Sequence, residues 1–243
     1  FTTPGAAAMY RARYPSLAAR MRVIENGYDE ETFTAVQPDK ALAPLVPGRL
    51  TLLHSGVVYP EERDPRHLIA ALSALKADGT AATTPFVVRF RASSQDGLLA
   101  GLAREQGVGD LVELLPPVPY AQALDEMLRA DALLVLQAAN CNQQIPAKLY
   151  EYLRAGRPVL ALTDAAGDTA ATLRGAGIAS IAPLDDAVAI AALLRRSLKA
   201  LQRGQADRPD PAAARRHSRA ARAAELAAVL DAAVDPKADR GSG

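Results

Sequence analysis

The chain has 243 residues, 49% of them hydrophobic and 23% charged, which is enough for one sizeable core or two small ones. Lys and Arg number 28 against 27 Asp and Glu, so no global field exists to hold nucleic acid or a membrane surface. Cys141 is the only cysteine, which excludes an intrachain disulfide and makes a reducing compartment the simpler assumption, and no apolar run approaches the roughly 20 residues that span a bilayer.

In chain order, the sequence opens at Phe1-Thr2-Thr3-Pro4-Gly5 with no initiator methionine, as though cut from within a longer protein. After an Asn26-Gly27 turn, a polar, proline-bearing linker is expected to run to Gly48. Leu50-Thr51-Leu52-Leu53-His54-Ser55-Gly56 reads as a buried strand ending in glycine, followed by a charged loop and a helix over about 65–77. Further strands are expected at 86–90, 111–115, 132–136 and 158–162, with a weak one at 178–181. Helices are expected at 95–106, at 120–129, from Asp168, and at 186–203. Pro209 and Pro211 then precede one final helix over about 212–233, and 237–243 reads as a disordered tail. Short apolar strands alternating with amphipathic helices argue for an α/β fold, a Rossmann-like doubly wound parallel sheet covered on both faces. Such a sheet binds ligands at the carboxyl ends of its strands, the rim on which Gly56, Arg91, Pro117 and Gln143 are expected.

The most informative stretch runs from Gln143 to Leu162 and reads as loop, short helix and buried strand. Pro146 suits the first turn of a helix because its missing N–H has no intrahelical partner there, and Gly156 is placed to stop that helix. Free N–H groups at the helix start and the Lys148 ammonium can face a diphosphate. Glu151, on the same face at i+3, can accept two hydrogen bonds from a vicinal diol such as a ribose. A solvated ion pair on a surface helix is the alternative reading of these two residues.

With Ile145-Pro146-Ala147-Lys148 before the helix and Ala155-Gly156-Arg157-Pro158-Val159 closing it, the stretch resembles the donor-site signature of family 4 retaining glycosyltransferases of the GT-B fold. In that family two glutamates stand with seven residues between them, the first near the donor sugar hydroxyls and the second on the nucleotide ribose. Glu151 fits the second position, whereas the first falls on Gln143, an amide that can bond a hydroxyl but carries no charge to stabilise an oxocarbenium. His54-Ser55-Gly56-Val57-Val58, with Arg63 beyond it, resembles the family's first donor-domain loop. There the resemblance implies that Gly56 and Val57 let the backbone approach the diphosphate, and that Arg63 and Lys148 stabilise its departure without a divalent ion. Pairing of Arg63 with Glu62 or Asp64 is the alternative. Val118 is implied near the nucleotide base, although Leu115-Pro116-Pro117 equally reads as a rigid turn.

The resemblance further implies that 1–21 belongs to the end of an N-terminal domain absent from this chain, with Val23 to Asp29 handing over to the second domain. A nucleotide-sugar-binding domain is then expected at 22–208 and a C-terminal helix at 209–236. No cofactor is implied beyond the nucleotide-sugar, and a glycan or lipid-linked acceptor is expected to reach the site through the other domain. No Gly-x-Gly-x-x-Gly follows a strand, and Asp64, Asp164 and Asp168 are too scattered for a magnesium site, so neither a nicotinamide nor a metal is expected. His54 reads as a rim residue rather than a base. Between Arg195 and Arg222 nine Lys or Arg stand against Asp207 and Asp210, which reads as a solvated helix face or as a peripheral contact with acidic lipid from the cytoplasmic side. Transfer of a glycosyl group in bacterial surface-glycan assembly is the leading expectation. A nucleotide-sugar epimerase on the same architecture and a non-catalytic binding module are the alternatives.

Overall fold

In the computed structural model, which describes residues 1–36 and 43–234, six parallel strands form one sheet. They are β1 (Leu50–Ser55), β2 (Phe86–Arg91), β3 (Val112–Leu115), β4 (Ala132–Leu136), β5 (Val159–Leu162) and β6 (Ile181–Ala182). Their spatial order is β3-β2-β1-β4-β5-β6, so the winding reverses between β1 and β4. In an open sheet of this kind the loops leaving two strands on either side of such a reversal part and leave a crevice.

Alternation along the strands divides the apolar side chains between two cores. Leu52, Leu134, Leu136, Leu160 and Leu162 face one, where α3 (Arg66–Ala77), α5 (Asp96–Glu105) and α9 (Ala187–Gln202) cover the sheet. Leu53, Leu133, Val135, Val159 and Ala161 face the other, under α6 (Tyr120–Arg129), α7 (Lys148–Ala155) and α8 (Asp168–Gly175). The near-continuous apolar runs of β1 and β4 therefore reflect burial on both faces. At the chain start, α1 (Pro4–Arg13) has Thr3 as its cap, the hydroxyl accepting from Ala6 N at 3.2 Å.

Three expected elements differ. The linker contains a helix, α2 (Glu30–Val36), because Asp29 Oδ1 accepts from the N–H groups of Glu31 and Thr32 at 3.0 and 3.4 Å and Phe33 is buried against Tyr28. The linker's residues 37–42 and the expected tail at 237–243 lie outside the described residues. The weak strand at 178–181 shrinks to the two residues of β6, since the Ile178 N–H donates to Leu173 O at 2.9 Å and closes α8, with Gly177 at φ +81 in the left-handed turn. The final helix is two, α10 (Pro211–Arg216) and α11 (Arg219–Val234). Between them Tyr28 pairs with Ser218: its N–H donates to His217 O at 3.1 Å and its carbonyl accepts from Arg219 N at 2.8 Å, which takes these groups out of a helical ladder. Gly27 permits that approach, because a Cβ there would lie 2.5 Å from His217 O. A short helix, α4 (Thr80–Thr83), follows α3.

Candidate functional site

The β1 strand delivers Gly56 to the carboxyl rim at φ +139, a conformation that side chains with a Cβ rarely adopt, and open space surrounds the position a Cβ would take. Its N–H donates to Arg91 O at 2.9 Å, which ties the loop to the end of β2. The chain then turns back so that Arg63 Nη1 donates to Val57 O at 2.6 Å, with the guanidinium 5.0 Å from the centre of the Tyr59 ring. Neither Glu62 nor Asp64 takes it; Asp64 pairs with Arg66 at 3.0 Å.

From β4 the chain reaches α7 through Gln137, whose amide donates to Cys141 O and Gln144 O at 2.8 and 3.0 Å and holds the loop in shape. The expected supply of free helix-start N–H groups is reduced. Leu149 N donates to Pro146 O at 2.9 Å and Tyr150 N to Ala147 O at 3.3 Å, tightening the first turn with three-residue bonds. Gly156 ends α7 at φ +65. The two loops are joined by Tyr152, buried, whose hydroxyl accepts from Ser55 N at 2.9 Å.

Between them lies a cavity of about 210 Å³ bounded by His54, Gly56, Arg63, Pro146, Lys148 and Tyr152. It sits where the strand order reverses, and of its two cations Arg63 comes from the loop after β1 and Lys148 from the start of α7. Glu151 stands one turn along α7, with Lys148 Nζ 2.7 Å from its Oε2 and the Tyr120 hydroxyl donating to its Oε1 at 3.0 Å. Burial first, and the Glu151 charge second, push the Tyr120 hydroxyl up to about 12, so it remains a donor at neutral pH. Val118 is half-buried just ahead of α6, whose first residue is Tyr120. Gln143 does not border the cavity. It is exposed, and its carbonyl accepts from the Thr3 hydroxyl at 2.6 Å. Beside it Gly5 N donates to Asp168 Oδ2 at 2.7 Å, so the start of α1 rests on the loop before α7.

Arg91, expected on the rim among the site candidates, is committed elsewhere. Its Nε donates to Glu126 Oε2 at 2.8 Å, its Nη2 bonds Glu126 Oε1, and its Nη1 reaches Pro116 O at 2.5 Å. A larger hollow of about 390 Å³ lies on the same rim beside β6, but Glu61, Asp64, Asp164 and Asp185 line it, the wrong sign for a diphosphate. Among the described residues, no three His, Cys, Asp or Glu side chains form a group able to hold a metal ion, and no helix is long and apolar enough to cross a membrane. Of the nine basic residues from Arg195 to Arg222, Arg195 pairs with Asp78, Arg219 with Asp29 and Arg222 with Glu225, at 2.6, 3.6 and 3.0 Å.

His54 is buried at the cavity floor with Nδ1 2.9 Å from Leu134 O. Desolvation holds its pKa down at about 4 against an ordinary 6.5, so the ring is neutral at pH 7 and is no general base poised for neutral pH. As pH falls from 6.5 towards 4, the unfolded chain takes up a proton that the folded chain refuses, and stability is lost across that window. The loss should be on the order of 3 kcal/mol. Urea titrations at pH 7 and pH 4 on the native chain and on His54→Gln should show the smaller pH dependence in the variant; equal dependence would place the acid sensitivity elsewhere.

Sequence reasoning missed Tyr120 and Tyr152. The signal for Tyr152 was an aromatic beside Glu151 in the signature itself, but its bond to Ser55 spans two loops and has no local trace. Ala92 and Ser94, both at φ +57, were also invisible. They flank Ser93, whose carbonyl accepts from Val58 N at 2.9 Å and so supports the Gly56 loop.

No family model matches the chain, and no curated protein matches it in sequence. Solved structures do match it in fold. The sucrose-phosphate synthase of Thermosynechococcus elongatus superposes with a TM-score of 0.65 at 18% identity, covering 95% of this chain and 56% of its own. WaaG, a glycosyltransferase involved in lipopolysaccharide biosynthesis, gives 0.67 at 17% identity over 96% of this chain and 60% of its own. The Anabaena protein HepE, solved in complex with UDP and glucose, gives 0.69 at 14% identity over 95% and 62%. The chain thus spans about three fifths of the length of these structures. The chain carries the α/β Rossmann-like domain fold of the GT-B glycosyltransferases.

Proposed function

We propose that this chain is the donor-binding half of a family 4 retaining glycosyltransferase, in which it holds a nucleotide-sugar for transfer of the glycosyl group to an acceptor. The observation that carries the reading is the cavity at the strand-order reversal, where Arg63 and Lys148 converge beside Gly56 and Glu151 lies one turn further along the same helix. A nucleoside diphosphate leaving group develops negative charge on its terminal phosphate, and two fixed cations in a partly desolvated cavity lower that cost. Glu151 takes the ribose hydroxyls, Val118 and the backbone near it face the base, and Gly56 and Val57 line the approach of the diphosphate. Gln143, where the family carries a glutamate, stands outside the cavity and would meet a sugar projecting from it as a neutral hydrogen-bonding group.

The acceptor half of the cleft belongs to a partner domain, so the chain by itself binds donor and transfers nothing. Bacterial surface-glycan assembly is the setting the reading favours, since WaaG acts in lipopolysaccharide biosynthesis. A calorimetric screen of UDP, GDP, ADP and dTDP, repeated with chelator and at rising salt, tests it. At least one nucleotide should bind, binding should survive chelation, and it should weaken as salt screens the two cations. Failure of all four to bind, or binding that vanishes with chelator and returns with magnesium, would overturn the cationic clamp.

A further inference from the structure

Both cations of the cavity are engaged by groups of the protein itself: Arg63 by the Val57 carbonyl, and Lys148 by Glu151. The second engagement is unusual in form. Lys148 Nζ lies 2.7 Å from Glu151 Oε2, yet no group among the described residues donates an aligned hydrogen bond to that oxygen, which is shielded from solvent. The pair is a charge contact whose acceptor oxygen retains unused capacity. The other oxygen is occupied, since Tyr120 donates to Oε1, and the Tyr120 ring also lies 5.5 Å from Lys148 Nζ. The Glu151 side chain is only 15% exposed, so its charge depends on the lysine for compensation.

Building on the donor-site reading, we propose that Lys148, Glu151 and Tyr120 form a selectivity latch that opens only to a ligand carrying both a diphosphate and a vicinal diol. A phosphate that draws Lys148 away leaves a largely buried carboxylate without its counter-charge, and that is costly. Two hydroxyl donors delivered to Glu151 offset the cost by satisfying the oxygen that lacks a bond. Tyr120 keeps the carboxylate oriented while the lysine changes partners. The latch therefore discriminates against pyrophosphate and other anions that carry no diol, species that two cations alone would accept. Its readout is a reversal of sign: loss of the Glu151 charge should tighten an anion that lacks a diol and weaken one that carries it.

The test compares the native chain with Glu151→Gln, which keeps the side-chain shape and removes the charge, with a thermal melt to confirm that both fold. The probes are inorganic pyrophosphate, whichever of UDP, GDP or ADP binds, and the 2′-deoxy form of that nucleotide. In the variant, pyrophosphate should bind about tenfold tighter than to the native chain, a difference of about 1.4 kcal/mol. The ribonucleotide should bind more weakly, and the preference for ribo over deoxy should shrink. Pyrophosphate binding that is unchanged or weaker in the variant, with the ribonucleotide still bound, sinks the latch and leaves the donor site standing. If no nucleotide binds the native chain but pyrophosphate tightens in the variant, the donor-site reading falls while the restraint of Lys148 by Glu151 stands.

Discussion

Replacing Glu126 with alanine is expected to destabilise the fold by about 3–5 kcal/mol, the scale for stranding one partner of a buried ion pair. The Arg91 and Glu126 side chains are 7% and 8% exposed, and Arg91 would be left with only the Pro116 carbonyl. Converting both residues to apolar ones of similar volume should be far milder, because no uncompensated charge then remains. The pair also bears on the site. The Arg91 carbonyl receives the Gly56 N–H, so loosening the end of β2 loosens the loop that borders the cavity. Urea unfolding of the single and double variants measures it, and a single-variant loss near that of an exposed pair, about 0–1 kcal/mol, would contradict the buried assignment.

Lys148→Ala should weaken nucleoside diphosphate binding by about 2 kcal/mol, or about thirtyfold, without weakening nucleoside binding. The discrimination decides more than the loss does. A lysine that acts on phosphate has no partner on a nucleoside, whereas one that merely steadies α7 would weaken both ligands together. Its side chain is 33% exposed, so raising the ionic strength should shrink the native advantage as the charge is screened. Calorimetry with the diphosphate and its nucleoside, at low and high salt, separates the two roles.

The site was legible in sequence as far as its residues are neighbours along the chain. Lys148 and Glu151 fall on one face of α7 by helical spacing alone, and the glycine at the end of β1 marks a turn whatever surrounds it. Arg63 was legible as a cation but not in its engagement, because the choice between a neighbouring carboxylate and the Val57 carbonyl depends on how the loop closes. Glu126 carried no signal at all. It is a charged residue in an amphipathic helix, and only the packing of α6 on the sheet brings it against Arg91.

The doubly wound α/β class followed from the chain itself, because short apolar runs separated by amphipathic helices can bury their surfaces only as a parallel sheet between two helical layers. Tertiary structure alone decided which strands lie beside one another, and therefore that the β1 and β4 loops meet over one cavity. It also split the final helix and made a helix of part of the linker, since the pairing of Tyr28 with Ser218 and the packing of α2 against α6 are contacts between segments far apart in sequence. Local periodicity reports which face of an element is apolar. It does not report which distant group will claim a hydrogen bond, and that competition placed the helix ends, tied Tyr152 to Ser55 and set Tyr120 on Glu151.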